Sequence, residues 1–394
     1  MSGITGLGTT YNLPNYTGLL YQLTPIETPL FSAIGGLNGG GQTTSTEFEW
    51  ETVDLRDASQ PENTEGATAP TAQARARGNV TNVVQIHQEK VSVAYSKLAA
   101  VGQKAGSNND LRNPITNELD WQVRTMLTQM VRDVEYSFIR GVYQKPTDNT
   151  TGRKTKGLIA AVSTNSKDVK GSALPTVTAT ASTDNIGSTA HGLTDGDSVI
   201  FTSLTGGAGL STNMPYYVVS AATNTFKVSL TKGGTAIDIT TDASAATAYA
   251  LTTLTTTHID DLLQSIYDNG GMDDTTTLLL NSSAKRAITS AYASAYGKFV
   301  ESSRNLAGVN VTQIETDFGL VNLMLSRNVP KHQIVAAQLG MCRPVYLEVP
   351  DKGHFFAEPL AKTGSSDDVQ LYGEVGLAYG NEKAHGLLSG IALV

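Results

Sequence analysis

Apolar and polar residues alternate along two stretches near the start of the chain. Residues 43–55 carry Glu47, Phe48, Glu49, Trp50 and Glu51 at their centre, and residues 79–95 set Val91, Val93 and Tyr95 on one side. A period of two is that of a half-exposed strand. Residues 56–78 between them are polar, contain Pro and Ala, and follow no period. Together they predict a long hairpin over 43–95 with an irregular tip. Arms of about twelve residues would reach roughly 40 Å at ~3.3 Å per residue. A hairpin of that length outruns its own domain and is expected to touch neighbouring molecules.

The strongest helical pattern follows. Leu119, Val123, Met126, Leu127, Met130, Val134 and Phe138 recur at spacings of three and four and form one apolar stripe. Asn113 suits the cap and Pro114 the first helical position, predicting a helix over 114–143, roughly 40 Å long. Its other face carries Arg124, Arg132, Asp133, Glu135 and Arg140, a solvated face or a contact with another subunit.

Ahead of the hairpin, residues 1–42 hold only short apolar clusters, Leu19-Leu20-Tyr21 and Pro29-Leu30-Phe31, then a glycine run over 35–41. Too little apolar surface is present to fold alone. This segment reads as an arm that docks elsewhere, on a neighbouring subunit. The glycines lack the Lys-Ser/Thr of a phosphate loop.

Residues 173–255 change character, becoming dense in threonine and sparse in charge. Short β-rich runs at 197–202, 216–219, 225–230 and 236–240 are separated by Gly, Asn and Asp turns, the pattern of a small all-β barrel or sandwich inserted between helical segments. Thr257 then caps a helix with Ile259, Leu262, Leu263 and Ile266 inward, and Asn269-Gly270-Gly271 stops it. Leu278-Leu279-Leu280 reads as a buried strand, a second helix opens at Ser282 or Ser283, and strands are expected at 319–325, 333–339 and 344–349. Residues 369–393 read as a closing hairpin with Leu371, Val375, Leu377 and Tyr379 on one face and its turn at Gly380-Asn381.

Composition sharpens the picture by exclusion. The 394 residues are 40% hydrophobic and 16% charged, a folded composition of several domains. Net charge is −8 and no Lys/Arg-rich run exists, so direct gripping of nucleic acid is not expected. If the protein meets DNA, it does so as a container wall. A single cysteine, Cys342, excludes an intrachain disulfide and reads as a core residue. Neither a signal peptide nor an apolar run of ~20 residues is present.

Chemistry is missing where an enzyme would show it. The six histidines, His87, His191, His258, His332, His354 and His385, stand apart from metal-ligand spacings, and neither His-Glu-x-x-His nor Gly-x-Ser-x-Gly occurs. Asp195-Gly196-Asp197 lacks the later ligands of a calcium loop, and Asp273-Asp274 reads as a turn. No catalytic residue, cofactor or metal is expected.

The order of arm, hairpin, long helix, α/β domain and closing strands resembles the Hong Kong 97-type fold of tailed-phage major capsid proteins, an α+β fold, in an actinobacteriophage-like branch. The residues carrying the likeness are Phe48-Glu49-Trp50, Glu65-Gly66-Ala67, Asn79 to Ile86 with Val91-Ser92-Val93, Arg132-Asp133-Val134-Glu135, Lys156-Gly157-Leu158 and Tyr372 to Leu377. Their order along the chain is the specific signal. The resemblance implies an N-terminal arm over 1–42, an extended loop over 43–95 and a peripheral domain with its spine helix over 96–172. An inserted β domain over 173–255 follows, then an axial domain over 256–350 and peripheral closing strands over 351–394.

It further implies a shell of hexamers and pentamers around double-stranded DNA, located in the virion and assembled in the host cytoplasm. The implied partners are other copies of the chain, a portal protein and, at most, a separate scaffold or decoration protein, with no membrane. Intersubunit contacts are expected at Tyr21, Phe31, Trp50, Arg56, Glu62, Glu65, Arg75, Arg77, Arg132 and Glu135. In the family's namesake a loop lysine forms an intersubunit isopeptide bond. No lysine lies between Thr43 and Glu89 here, so a non-covalent shell is expected, with Arg75 and Arg77 pairing across boundaries. The alternatives are an encapsulin-type compartment and a phage tail or decoration protein.

Overall fold

The computed structural model describes residues 26–53, 55, 58–60, 62–69, 71–72, 74, 77–99, 117–148, 150–273, 276–295, 313–361 and 364–394. Two sheets and a closed barrel carry most of the described chain.

The first sheet has five strands. β1 (Gly41–Thr43) runs parallel to β16 (Arg343–Leu347). β16 and β17 (Phe355–Pro359) both pair antiparallel with β18 (Ser366–Ala378), and β4 (Gln85–Ala94) lies along the other side of β18. The predicted alternation holds in β4, where Val91 and Val93 are buried. Tyr95 leaves the pattern because it opens a short helix, α2 (Tyr95–Ala99).

The hairpin itself is β2 (Glu47–Thr52) against β3 (Gly78–Val83), in register from Glu47↔Val83 to Thr52↔Gly78. Its arms are about half the expected length. The physical reason is that β4, read from sequence as part of the returning arm, is recruited into the five-stranded sheet by β18.

The spine helix α3 runs Glu118–Arg140, with Asn117 as cap accepting from the Asp120 N–H at 3.3 Å. The expected cap, Asn113, lies outside the described residues. At the other end Gly141, not Tyr143, closes the helix. A Cβ there would stand 2.3 Å from the Ser137 carbonyl and 2.4 Å from that of Thr155. Met130, Val134, Phe138 and Ile139 are buried. Val134, Phe138 and Ile139 pack in one core with α1 (Pro29–Ala33), α4 (Leu158–Ala161) and residues of both sheets, among them Leu279, Val335, Val375 and Leu377.

The second sheet has the order β13 (Gln313–Thr316), β14 (Gly319–Leu325), β12 (Thr276–Leu280), β15 (Gln333–Gln338), β19 (Gly386–Ser389), β5 (Ser166–Asp168). β12 is buried along its whole length, as its leucine run predicts. Helices α5 (Thr256–Asp268) and α6 (Ser282–Ala295) cover it through Ile259, Leu262, Leu263, Ile266, Ala284 and Ile288. The α5 cap is Thr255 rather than Thr257. A capping box decides it, with the His258 Nδ1 accepting from the Thr255 N–H at 3.3 Å.

The C-terminal hairpin expected over 369–393 does not form. β18 stays in the first sheet while β19 crosses to the second, beneath α5. Gly386 makes that passage: a Cβ there would lie 2.7 Å from Ile266 and 2.9 Å from Leu262. β16 likewise belongs to the first sheet and β5 to the second. The chain therefore threads between the two sheets across the boundaries expected at 172, 350 and 351.

β6 (Val177–Thr180), β7 (Asn185–Gly187), β8 (Ser198–Gly206), β9 (Pro215–Val219), β10 (Thr225–Ser229) and β11 (Ala243–Ala250) close into a barrel ordered β10-β7-β6-β11-β8-β9. Its core holds Phe201, Tyr216, Val218 and Phe226. The run 236–240 is not a strand, although Ile239 is buried.

Candidate functional site: the intersubunit surfaces

The hairpin is fastened at its base, and the described apolar residues just beyond Thr52 are exposed. Asn82, wholly buried, donates through Nδ2 to the Leu377 carbonyl at 2.7 Å and that of Lys156 at 3.2 Å. Its Oδ1 accepts from the Val83 and Lys156 amides at 2.9 and 2.8 Å. One side chain thus satisfies the backbone of three segments where no ladder can. Trp50 donates from Nε1 to the Gly380 carbonyl at 2.7 Å, stacks on Phe48 at 5.9 Å and meets Tyr379 edge-on at 5.0 Å. Phe48 fits because Gly376 lacks a Cβ, which would stand 2.6 Å from its ring.

Beyond Thr52 the picture reverses. Val53 is 51% exposed and Leu55 81% exposed, and Glu62 and Glu65 lie in solvent. Arg77, expected to pair across a boundary, pairs with Glu51 of its own hairpin at 2.6 Å, and both stay exposed. Tyr21, Arg56 and Arg75 lie outside the described residues.

Two expected contact residues turn inward. Phe31 is buried against Phe138, ring centroids 5.8 Å apart. Glu135, also buried, accepts from the Phe31 N–H at 2.7 Å, the Leu30 N–H at 3.3 Å and the Ser326 hydroxyl at 3.1 Å. Its carboxyl is raised from the usual carboxylate range, chiefly by burial, against which these three hydrogen bonds pull. Both residues fasten residues 29–33 to the spine helix of the same subunit, and a neighbour cannot reach them. No residue pattern signals this, because Glu135 sits on the charged face of the helix. Arg132 is half-buried and donates to Gln129 at 2.7 Å.

The remaining polar clusters are structural. Arg153 ties β18 to the link between β3 and β4, donating to Glu374 at 2.7 Å and the Val84 carbonyl at 3.3 Å. Asp195 accepts from the Ala221 N–H at 2.7 Å, and Asp197 from the Thr194 N–H and hydroxyl at 2.7 and 3.0 Å. These carboxylates cap turns of the barrel. Among the described residues no group of three or more His, Cys, Asp or Glu side chains is placed to hold a metal ion. Burial pushes His87 and His332 down to about 4 and the Cys342 thiol up to about 12, so all three stay uncharged at neutral pH. No described helix is long and apolar enough to cross a membrane.

No curated protein sequence matches the chain. Among solved structures it is similar to a subunit of the capsid of Cyanophage A-1(L), with 11% identity and a TM-score of 0.57, covering 98% of this chain and 99% of that one. The capsid of the native GTA particle follows with 14% identity and a TM-score of 0.50, over 98% and 97%. An encapsulin of Synechococcus elongatus is similar at 11% identity and a TM-score of 0.47, over 96% and 92%. The fold is the Hong Kong 97-type capsid fold. The family model for the SU10 major capsid protein matches residues 3–392, and the chain belongs to that family of phage shell subunits.

Proposed function

We propose that this subunit assembles with copies of itself into a closed icosahedral shell of hexamers and pentamers enclosing double-stranded DNA. The observation that carries the reading is the hairpin, locked at Asn82 and Trp50 yet ending in exposed Val53 and Leu55 with no core of its own. Exposed apolar tips on a fixed base are satisfied by burial against another molecule. The five-stranded sheet with the spine helix is the peripheral domain, the six-stranded sheet with α5 and α6 the axial domain, and residues 173–255 an inserted domain on the outer surface. The actinobacteriophage-like branch, host-cytoplasmic assembly, a portal and any separate scaffold or decoration protein belong to the same reading.

Of the expected contact residues, Trp50, Glu62, Glu65, Arg77 and Arg132 keep an exposed or half-exposed surface for neighbours; Phe31 and Glu135 do not. The protein has no enzymatic role in this reading. Negative-stain microscopy of the expressed protein tests it. Uniform closed shells are expected, and a preparation holding only monomers or tubes would overturn it.

A further inference from the structure

The five- and six-stranded sheets end in five outer strands, and four of them are blunt. β1 and β5 have three residues each, β13 has four, and β17 has five with Pro359 at its end. Short strands and proline are how natural sheets discourage pairing with another chain. β4 differs. It is ten residues long, pairs with β18 without a register shift from Gln85↔Val375 to Ala94↔Ser366, and contains neither Pro nor Gly.

The register shows which backbone groups β4 leaves unused. The Tyr95 N–H donates to the Ser365 carbonyl at 3.0 Å, which puts 95 and 365 at a hydrogen-bonding position of the ladder. Every second residue from there, Val93, Val91, Glu89, His87 and Gln85, turns its backbone toward β18. Ile86, Gln88, Lys90, Ser92 and Ala94 turn theirs outward, one N–H and one C=O each. None of these groups has a partner among the described residues. All five residues are exposed, Ile86 at 45%. The single charge on this row, Lys90, is already engaged by Asp368 at 2.7 Å.

We propose that the outer edge of β4, Ile86 to Ala94, is an assembly surface that takes an extended strand from a second copy of this chain. The inference rests on the shell reading above and names one contact within it. A second copy is the occupant because members of this family build shells from one repeated subunit, and because nothing on the row except an already paired lysine opposes a neutral strand. Backbone pairing would supply binding along the edge. The flat, regular register would fix the angle between subunits, since a slip of one residue turns the added side chains over.

Hydrogen exchange tests this on the full-length protein, comparing assembled shells with dissociated subunits. The amides of Gln88, Lys90 and Ser92 should exchange quickly in subunits and be slowed on the order of 100-fold in shells. Fast exchange in both states overturns the proposal. So does slow exchange in isolated subunits, which would mean that the chain covers its own edge. If no shells form, the shell reading itself fails.

A variant supplies the second arm. Gln88→Pro removes an outward N–H and leaves the bonds to β18 in place. It should yield folded subunits with an unchanged melting midpoint and at least about ten-fold fewer shells. Gln88→Thr, which keeps the N–H, should assemble normally. Normal shell yield from Gln88→Pro would overturn the proposal.

Discussion

The barrel over residues 177–250 and the hairpin over 47–83 are both made of short antiparallel strands, yet they solve opposite problems. The barrel closes, so every strand has two neighbours and no edge remains. It has its own core, in which Phe201 and Tyr216 meet edge-on at 5.9 Å. Its turns are locked by side chains, with Asp184 accepting from the Ile239 N–H at 2.9 Å and Asp242 from the Ala181 N–H at 2.7 Å. The hairpin has two strands, one anchored end and exposed apolar residues at the other. Closure makes a region independent of its surroundings. An open ribbon anchored at one end is instead stabilised by whatever it meets, which suits a subunit that must be incomplete alone.

The largest effect should come from emptying the barrel. Phe226→Ala is expected to cost about 3–5 kcal/mol, read as a lowered denaturation midpoint for the barrel's signal. If the barrel is as independent as its closure implies, the transition of the two sheets stays where it was. A joint collapse of both would break the comparison.

Acid should act on the sheets rather than inside the barrel. His87 and His332 lie outside the barrel and are held at about 4 by burial, below the ordinary 6.5. A depressed histidine contributes stability that is full above 6.5 and fades as pH falls toward 4, because the unfolded chain takes up the proton first. At ~1.4 kcal/mol per pH unit, each is worth about 3 kcal/mol by pH 4. Glu135 works in the opposite sense, since its raised carboxyl binds a proton more readily in the fold. Urea midpoints at pH 7 and pH 4.5 should fall for the sheets and hold for the barrel. An equal fall in both would show that these histidines do not control the difference.

Smaller changes probe the hairpin. Trp50→Phe keeps the ring packing but leaves the Gly380 carbonyl without its donor, a loss of about 1 kcal/mol. The first consequence to measure is faster amide exchange along 78–83. Unchanged exchange there would mean that Asn82 alone holds the base. Arg77→Ala removes an exposed pair with Glu51 and should cost the subunit under about 1 kcal/mol. Its use is as a discriminator. A drop in shell yield with no change in subunit melting assigns Arg77 to the interface, and an equal yield confines it to its own hairpin.

Some corrections to the sequence reading share one cause. The pattern of Leu371, Val375, Leu377 and Tyr379 correctly marks a buried face, and all four are buried. It cannot say that the next strand leaves for another sheet, because that depends on Gly386 passing under Ile266 and Leu262, residues more than a hundred positions away. The helix pattern places Glu135 on the charged face for the same reason. Its partners, the Leu30 and Phe31 amides and Ser326, come from segments that approach only in the folded chain. Asn113 and Asn117 are equally good caps by residue type; Asn117 accepts from the helix, and Asn113 lies outside the described residues.

By itself, the sequence determined what nearest neighbours along the chain can decide. The two-residue alternation around Phe48 and Trp50, the three-and-four spacing from Leu119 to Phe138, the leucine run of β12 and the turn-punctuated strands of the barrel are local properties, because side-chain periodicity follows from backbone geometry alone. The order of those elements was enough to point to the capsid fold. Only the tertiary structure decided which strands share a sheet, which charges are buried and which edge stays open. Those outcomes depend on contacts between distant segments, and a strand carries the same alternation whether its neighbour is β18, β19 or another subunit.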